Sequence, residues 1–125
     1  FLPQMIRSLP RLEIVRLDEF GTADGELLSA LAESKLWSIG LVHGRGITPE
    51  AIERLLQAPR LRSLDLSGTD FSVECLEPLS KATKLRSLRL EAVYVPGPEF
   101  QKIKPMIPNC ATYFTAGIWM GLRGK

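Results

Sequence analysis

A short pattern of apolar residues recurs along the chain. Its clearest copies are residues 61–66 and 85–90, which read LRSLDL and LRSLRL, with leucine at the first, fourth and sixth positions. Similar copies start at Leu12 and Leu36 and a degenerate one at Cys110, so that successive copies begin 24, 25, 24 and 25 residues apart. The alternation of apolar and polar residues at the end of each copy predicts a short β-strand with one buried face.

The segments between these strands follow a helical pattern. Their apolar residues lie three or four positions apart and so share one face of a short helix: Leu27, Leu28 and Leu31; Ile52, Leu55 and Leu56; Leu76 and Leu79; Phe100, Ile103, Met106 and Ile107. Thr22 or Asp24 can cap the first of these helices and Thr48 the second, while Pro49 and Pro98 suit a first helical turn. Each repeat is therefore predicted to be a strand followed by a helix.

These copies and their period resemble the leucine-rich repeat, in which L-x-x-L-x-L marks one short strand in every repeat of about 20–29 residues. The resemblance runs from Leu9 to Tyr113. It implies an α/β solenoid with a curved parallel sheet on the concave side and short helices on the convex side. We expect about four full repeats starting near residues 11, 35, 60 and 84, within a domain of residues 1–114 that has half-repeats at 1–10 and 109–114.

The two ends of the chain carry their own expectations. Because residues 1–10 read as the second half of a repeat, we expect the chain to be a fragment of something longer. Residues 115–125 form a C-terminal extension whose apolar residues stand beside two cations: Ile118, Trp119, Met120 and Leu122, then Arg123 and Lys125. This extension either folds back over the last repeat or docks a partner or a membrane surface through residues 116–125.

Composition narrows the class of protein. The chain is 45% hydrophobic and 24% charged with a net charge of +2, which is typical of a globular domain and far from the charge density of a dedicated nucleic-acid binder. No apolar run reaches the roughly 20 residues that span a bilayer. Cys75 and Cys110 fall in different parts of non-adjacent repeats, so we expect free thiols rather than a disulfide, which favours a reducing compartment.

Catalytic patterns are missing from the sequence. The single histidine, His43, has no nucleophile motif beside it, and one histidine with scattered carboxylates does not make a metal site. Residues 43–46 read HGRG but lack the lysine of a phosphate loop, so we interpret them as a tight, flexible connection. We therefore expect a non-enzymatic protein without cofactor, metal or small-molecule substrate.

Strand alternation identifies the candidate binding surface. If the fourth and sixth positions of each copy point inward, the third, fifth and seventh point outward. The third-position column is then Ile14, Ser38, Ser63, Ser87 and Thr112, and the fifth-position column is Arg16, Gly40, Asp65, Arg89 and Phe114. The candidate partner-binding residues are Arg16, Asp18, Ser38, Ser63, Asp65, Ser87, Arg89, Glu91 and Phe114, with Trp119 of the extension. Asp65 and Arg89 lie on neighbouring strands and are expected to pair with each other.

A second column is uniformly basic. Positive side chains flank the first leucine of successive copies, and this basic rim consists of Arg11, Lys35, Arg60, Arg62, Lys84 and Arg86. Either the long side chains lie along the rim with their charges in water, or they face an acidic partner or phosphate groups. The sequence thus favours a protein-interaction module with an unidentified protein partner. The alternative is a structural subunit of a larger complex with nothing bound on its concave face.

Overall fold

The computed structural model describes residues 2–114 and has an α/β fold with a five-stranded, all-parallel sheet. The strands follow one another across the sheet in chain order: β1 (Ile14–Thr22), β2 (Ser38–Arg45), β3 (Ser63–Asp65), β4 (Ser87–Leu90) and β5 (Ala111–Phe114). The helices are α1 (Leu2–Arg7), α2 (Gly25–Ala32), α3 (Pro49–Leu55), α4 (Leu76–Leu79) and α5 (Gly97–Ile103), with 3₁₀ turns at Val73–Cys75 and Lys104–Met106. Trp119 and the rest of the predicted C-terminal extension lie outside the described residues.

The first four strands pair in the register that the repeated pattern predicts. Ser38 pairs with Ser63 and Ser63 with Ser87, while Ile14 pairs with Ser38. Parallel neighbours require a crossover connection, and the short helices supply it. Because each helix contacts the next one along the chain, the helices form a layer of their own beside the sheet.

The core lies between the sheet and the helices. The leucines at the first, fourth and sixth positions of the third and fourth copies are all buried, and Phe71 and Phe100 are the largest side chains that are fully enclosed. The first copy is less well covered, since Leu12 and Leu17 are only partly buried. In α1, Ile6 is buried whereas Met5 is exposed, so only part of the apolar face predicted there reaches the core.

Two helix starts are fixed by side-chain caps. The Asp24 carboxylate accepts the Leu27 N–H at 2.9 Å, which decides between Thr22 and Asp24 in favour of the aspartate. Thr48 Oγ1 accepts the Ala51 N–H at 3.1 Å, and Pro49 occupies the first turn of α3. These bonds satisfy amide groups that a helix cannot pair internally.

The predicted register of the last strand is wrong by one residue. Cys110 takes the place of Leu85, as expected: the Cys110 N–H donates to the carbonyl three residues earlier, Ile107, just as the Leu85 N–H donates to that of Ala82. However, β5 then pairs Ala111 with Ser87 and Tyr113 with Arg89, so Ala111 takes the third position that was predicted for Thr112. Phe114 therefore points inward and stacks on Phe100 with the ring centroids 4.1 Å apart. This register partly buries the purely apolar ring of Phe114 and leaves Tyr113, with its polar hydroxyl, exposed.

Residues 43–45 are strand rather than the flexible connection predicted from the HGRG segment. β2 continues to Arg45 and pairs Gly44 with Gly21 and Arg45 with Thr22. A left-handed backbone recurs here: Glu19, His43, Gly68 and Ala92 have φ values of 54°, 56°, 70° and 58° and stand 24, 25 and 24 residues apart. The left-handed residue thus recurs at the same repeat position in four copies, inside β1 and β2 and just after β3 and β4.

Candidate functional site

The face of the sheet opposite the helices is the first candidate surface, and we call it the open face. It consists of the third-, fifth- and seventh-position residues of the strands. The third positions of β2, β3 and β4 are all serines, Ser38, Ser63 and Ser87, and all three are partly exposed. Val42 was predicted to point outward from the seventh position of β2, but only 2% of it is exposed, so it adds no apolar area to this face.

An ion pair crosses the open face over β2. Arg16 Nη1 on β1 lies 3.2 Å from Asp65 Oδ2 on β3, and the strand between them contributes Gly40. A Cβ atom built on Gly40 would make ordinary van der Waals contact with Arg16 Cγ at 3.4 Å, so the arginine side chain passes directly over this strand. The Arg16 side chain remains 61% exposed while that of Asp65 is 17% exposed.

Asp65 is held from a second side by Ser67. The other carboxylate oxygen accepts the Ser67 N–H at 3.0 Å and the Ser67 hydroxyl at 2.7 Å. The same hydroxyl accepts the N–H of Glu91 at 3.0 Å, which links β3 to the end of β4. The carboxylate of Asp65 is therefore fixed in one orientation.

Arg89 does not form the ion pair with Asp65 that the column predicted. Its Nη1 donates to Glu91 Oε2 at 2.6 Å, and its guanidinium carbon lies 4.6 Å from the centre of the Tyr113 ring. The Asp65 carboxylate is already bound by Arg16 and Ser67. Glu91 lies only two residues after Arg89 in the chain, just past the end of β4. The result is a cation stacked on an aromatic ring that is itself 45% exposed.

The structure places the predicted partner-binding residues in two groups on the open face. Arg16 and Asp65 belong to the first group, and Arg89 and Glu91 to the second. The serine column occupies the third positions of β2, β3 and β4 on the same face. Asp18 belongs to neither group. Its carboxylate instead accepts a hydrogen bond from His43 Nδ1 at 3.0 Å. Phe114 leaves the candidate surface because it packs inward, and Tyr113 replaces it.

The basic rim follows the edge of the sheet where the strands begin. Five of its six side chains are exposed and Arg62 is partly buried. Within residues 2–114, no carboxylate lies within 4.0 Å of the charged nitrogens of these six residues. The rim is therefore a separate surface next to the open face, and its cations form no ion pairs within the described residues.

Sequence reasoning missed several exposed aromatic and apolar side chains. Trp37 is 41% exposed at the second position of the repeat, the position that Arg62 and Arg86 fill in later copies. Aligning that position across all copies would have revealed it. Tyr94 is highly exposed in a loop after β4, and Val73 and Met106 flank a groove between α4 and α5. These three residues do not recur at one position of the repeat, so no sequence pattern indicates that they are exposed.

Neither cysteine shows the features of a reactive nucleophile. Both are free thiols, with Cys75 buried and Cys110 partly buried. Burial raises the pKa of both thiols, and the nearby Arg86 only partly opposes this effect at Cys110. Cys75 Sγ lies 3.3 Å from the Ile47 carbonyl oxygen, to which it donates. These thiols pack as small apolar groups.

Residues 2–114 hold neither a metal-binding cluster nor a helix that could cross a membrane. No group of three or more His, Cys, Asp or Glu side chains is placed to hold a metal ion. No helix there has the length and apolar character to cross a membrane.

No protein-family model and no curated protein matches the chain. The function is therefore argued from the surfaces described above.

Proposed function

We propose that the chain is a leucine-rich repeat solenoid whose open face is the concave side. Three features support this assignment: the strand template recurs every 24 or 25 residues, the parallel strands follow chain order across the sheet, and each helix packs on the next. The left-handed residue at the same position of four copies adds a fourth repeated feature. Stacked repeats of this kind form extended binding surfaces.

On this scaffold, we propose a non-catalytic module that binds another protein through the open face. The observation that carries this proposal is the stack of Arg89 on the exposed ring of Tyr113. Arginine and tyrosine are among the residue types that dominate binding energy at protein interfaces. Because Glu91 and the ring already hold Arg89 in place, its side chain would lose little further conformational entropy when a partner binds.

The second candidate is a structural subunit of a larger complex, with nothing bound on the open face. It is favoured by the internal pairing of the charges there, because Arg16 with Asp65 and Arg89 with Glu91 leave few isolated charges to attract a partner. In that case the contacts would come from residues 116–125 or from the edges of the sheet.

Site-specific photo-cross-linking separates the two candidates. A photoreactive amino acid replaces Ser63 on the open face or, as a control, Glu53 on the exposed side of α3. The interaction module predicts discrete cross-linked proteins from position 63 and none of them from position 53. The same products should disappear in the double variant Arg89→Ala, Tyr113→Ala.

A matched control for this variant is Lys102→Ala, Met106→Ala, which also removes one cation and one exposed apolar side chain but on the helical side. This control should keep the cross-links. If position 63 gives no product, or if partner capture survives the open-face variant and is lost on deletion of residues 116–125, the open-face proposal is wrong and assembly through the extension replaces it.

A further inference from the structure

The edge where the strands begin carries a second surface, which adjoins the open face at Ile14. The second residue of each copy stands on this edge, and these residues are joined by a ladder of backbone hydrogen bonds. Trp37 N–H donates to Glu13 O at 2.9 Å, Arg62 N–H to Trp37 O at 2.8 Å, and Arg86 N–H to Arg62 O at 2.7 Å. Adjacent strands are about 4.8 Å apart, so Trp37, Arg62 and Arg86 stand side by side.

The two arginines of this row are held by their own backbone turns. Arg62 Nη1 donates to the Leu61 carbonyl at 2.9 Å, and Arg86 Nη1 lies 3.3–3.4 Å from the carbonyl oxygens of Thr83, Lys84 and Leu85. In residues 2–114 their other guanidinium N–H groups make no side-chain hydrogen bond. Each guanidinium is thus anchored at one end and presents donors at the other, a geometry that suits a planar carboxylate.

The surroundings of this row are mostly positive, although its first member, next to Trp37, is the exposed Glu13. Four more cations of the basic rim, Arg11, Lys35, Arg60 and Lys84, flank it and are exposed. The C-terminal ends of α2 and α3 face the same edge, and their carbonyl groups explain why the chain tolerates the cations there. These partial charges fall off within one helical turn, and together with the single carboxylate of Glu13 they do not neutralise six full positive charges, so the edge attracts negative groups.

Apolar side chains next to the cations indicate which kind of anion fits. Trp37 is 41% exposed, and Ile14, which pairs with the residue after Trp37, is 54% exposed. A polymer of phosphates would use the cations but would leave Ile14 in water. A protein segment that combines carboxylates with apolar side chains would use both, and Trp and Arg are the residue types most enriched at the centres of protein interfaces.

We propose that Trp37, Arg62 and Arg86 form a binding site for an acidic segment of a partner protein. Carboxylates of that segment meet the free N–H groups of the two arginines, and an apolar side chain packs on Trp37 and Ile14. The proposal does not depend on the open-face function, because none of these residues belongs to the Arg89–Tyr113 group.

The test uses tryptophan fluorescence. The chain has two tryptophans, so Trp119→Phe leaves Trp37 as the sole reporter. The probes are a glutamate-rich peptide with interspersed leucines, its glutamine counterpart, and a single-stranded oligonucleotide of equal charge. We expect a saturable change in Trp37 emission with the glutamate peptide, much weaker binding of the other two, and weaker binding of the glutamate peptide at higher salt.

Charge reversal identifies the site. Arg62→Glu with Arg86→Glu should weaken peptide binding at least about tenfold. The reversed charges repel the carboxylates of the peptide, and loss of a charge pair at an interface raises the dissociation rate. The control pair Arg45→Glu, Lys102→Glu makes the same change in net charge on the other edge and the helical side, and should change binding less than about twofold. If the reversal pair fails to fold, Arg62→Gln with Arg86→Gln takes its place and should still weaken binding.

Three outcomes would overturn the proposal. The first is no binding of the glutamate peptide, and the second is an equal loss in the control pair, which would mean non-specific attraction. The third is an oligonucleotide that binds as tightly as the peptide and is unaffected by Trp37→Ala, measured with a labelled probe. That result would reassign the edge to phosphate groups.

Discussion

The row of left-handed residues gives a sharp prediction at Gly68. Gly68 has φ +70°, and a Cβ atom placed there would lie 2.7 Å from His43 Nε2 and closer still to Cδ2. Gly68→Ala therefore imposes two separate costs, one on the backbone and one on the neighbouring side chain. The substitution His43→Ala removes the second cost and leaves the first.

The magnitudes follow from the geometry. A non-glycine residue in the left-handed region costs about 1–2 kcal/mol, and the less flexible unfolded chain returns about 0.4–1 kcal/mol of this, so the backbone effect is about 1 kcal/mol. In the presence of His43, the ring must also leave its rotamer, at about 0.5–1.5 kcal/mol, and lose its exposed bond to Asp18. We expect Gly68→Ala to lower the free energy of unfolding by about 2 kcal/mol with His43 present and by about 1 kcal/mol with His43→Ala.

The assay is urea-induced unfolding followed by far-ultraviolet circular dichroism, for the four proteins of the double-mutant cycle. Ala92 supplies an internal counterpart, since it is the native residue at the matching position with φ +58°. Ala92→Gly relieves the same backbone cost and should raise the free energy of unfolding by about 0.5–1 kcal/mol.

Two results would refute this reasoning. An equal effect of Gly68→Ala in both backgrounds would mean that the His43 ring does not meet the added methyl group. A neutral effect in both, together with a destabilising Ala92→Gly, would mean that these positions do not share the left-handed backbone.

Three further predictions concern the core, a helix cap and the thiols. Leu64→Ala, at a fully buried strand position, should lower the free energy of unfolding by about 2–5 kcal/mol, whereas Leu9→Ala at an exposed site should change it by less than about 1 kcal/mol in the same urea assay. Thr48→Ala should cost about 0.5–2 kcal/mol through the lost cap, and Thr48→Ser should restore most of it. Labelling of the native protein with a thiol reagent should modify Cys110 before Cys75, and equal rates for the two thiols would contradict their difference in burial. Because burial raises the pKa of Cys110, its labelling rate should still increase at pH values where the rate of an unfolded control is already constant.

The regular parts of the fold were predictable from the sequence because they depend on period. Leucines at fixed intervals identify the buried face of each strand, and the all-parallel sheet in chain order follows from a strand and a helix in every copy. The same logic failed at β5, where the deciding factor was the stacking of Phe114 on Phe100. A contact between residues of different elements leaves no periodic signal.

The candidate surface was predictable in outline but not in its pairings. Alternation correctly placed Arg16, Asp65 and Arg89 on the open face, since it depends only on strand parity. It could not predict that Arg16 reaches over Gly40 to Asp65, because that bond skips a strand. Trp37 was overlooked because its position was compared only between the two clearest copies.

The chain-order arrangement of the sheet makes the length of this protein adjustable. Every strand hydrogen-bonds only to the strands before and after it in the sequence. Excision of residues 61–84 would join Arg60 directly to Leu85, so that one basic residue still precedes the first leucine of the next copy. The surface would shorten by one strand while the flanking strands kept their own side chains, and duplication of the same segment would lengthen it by the same step.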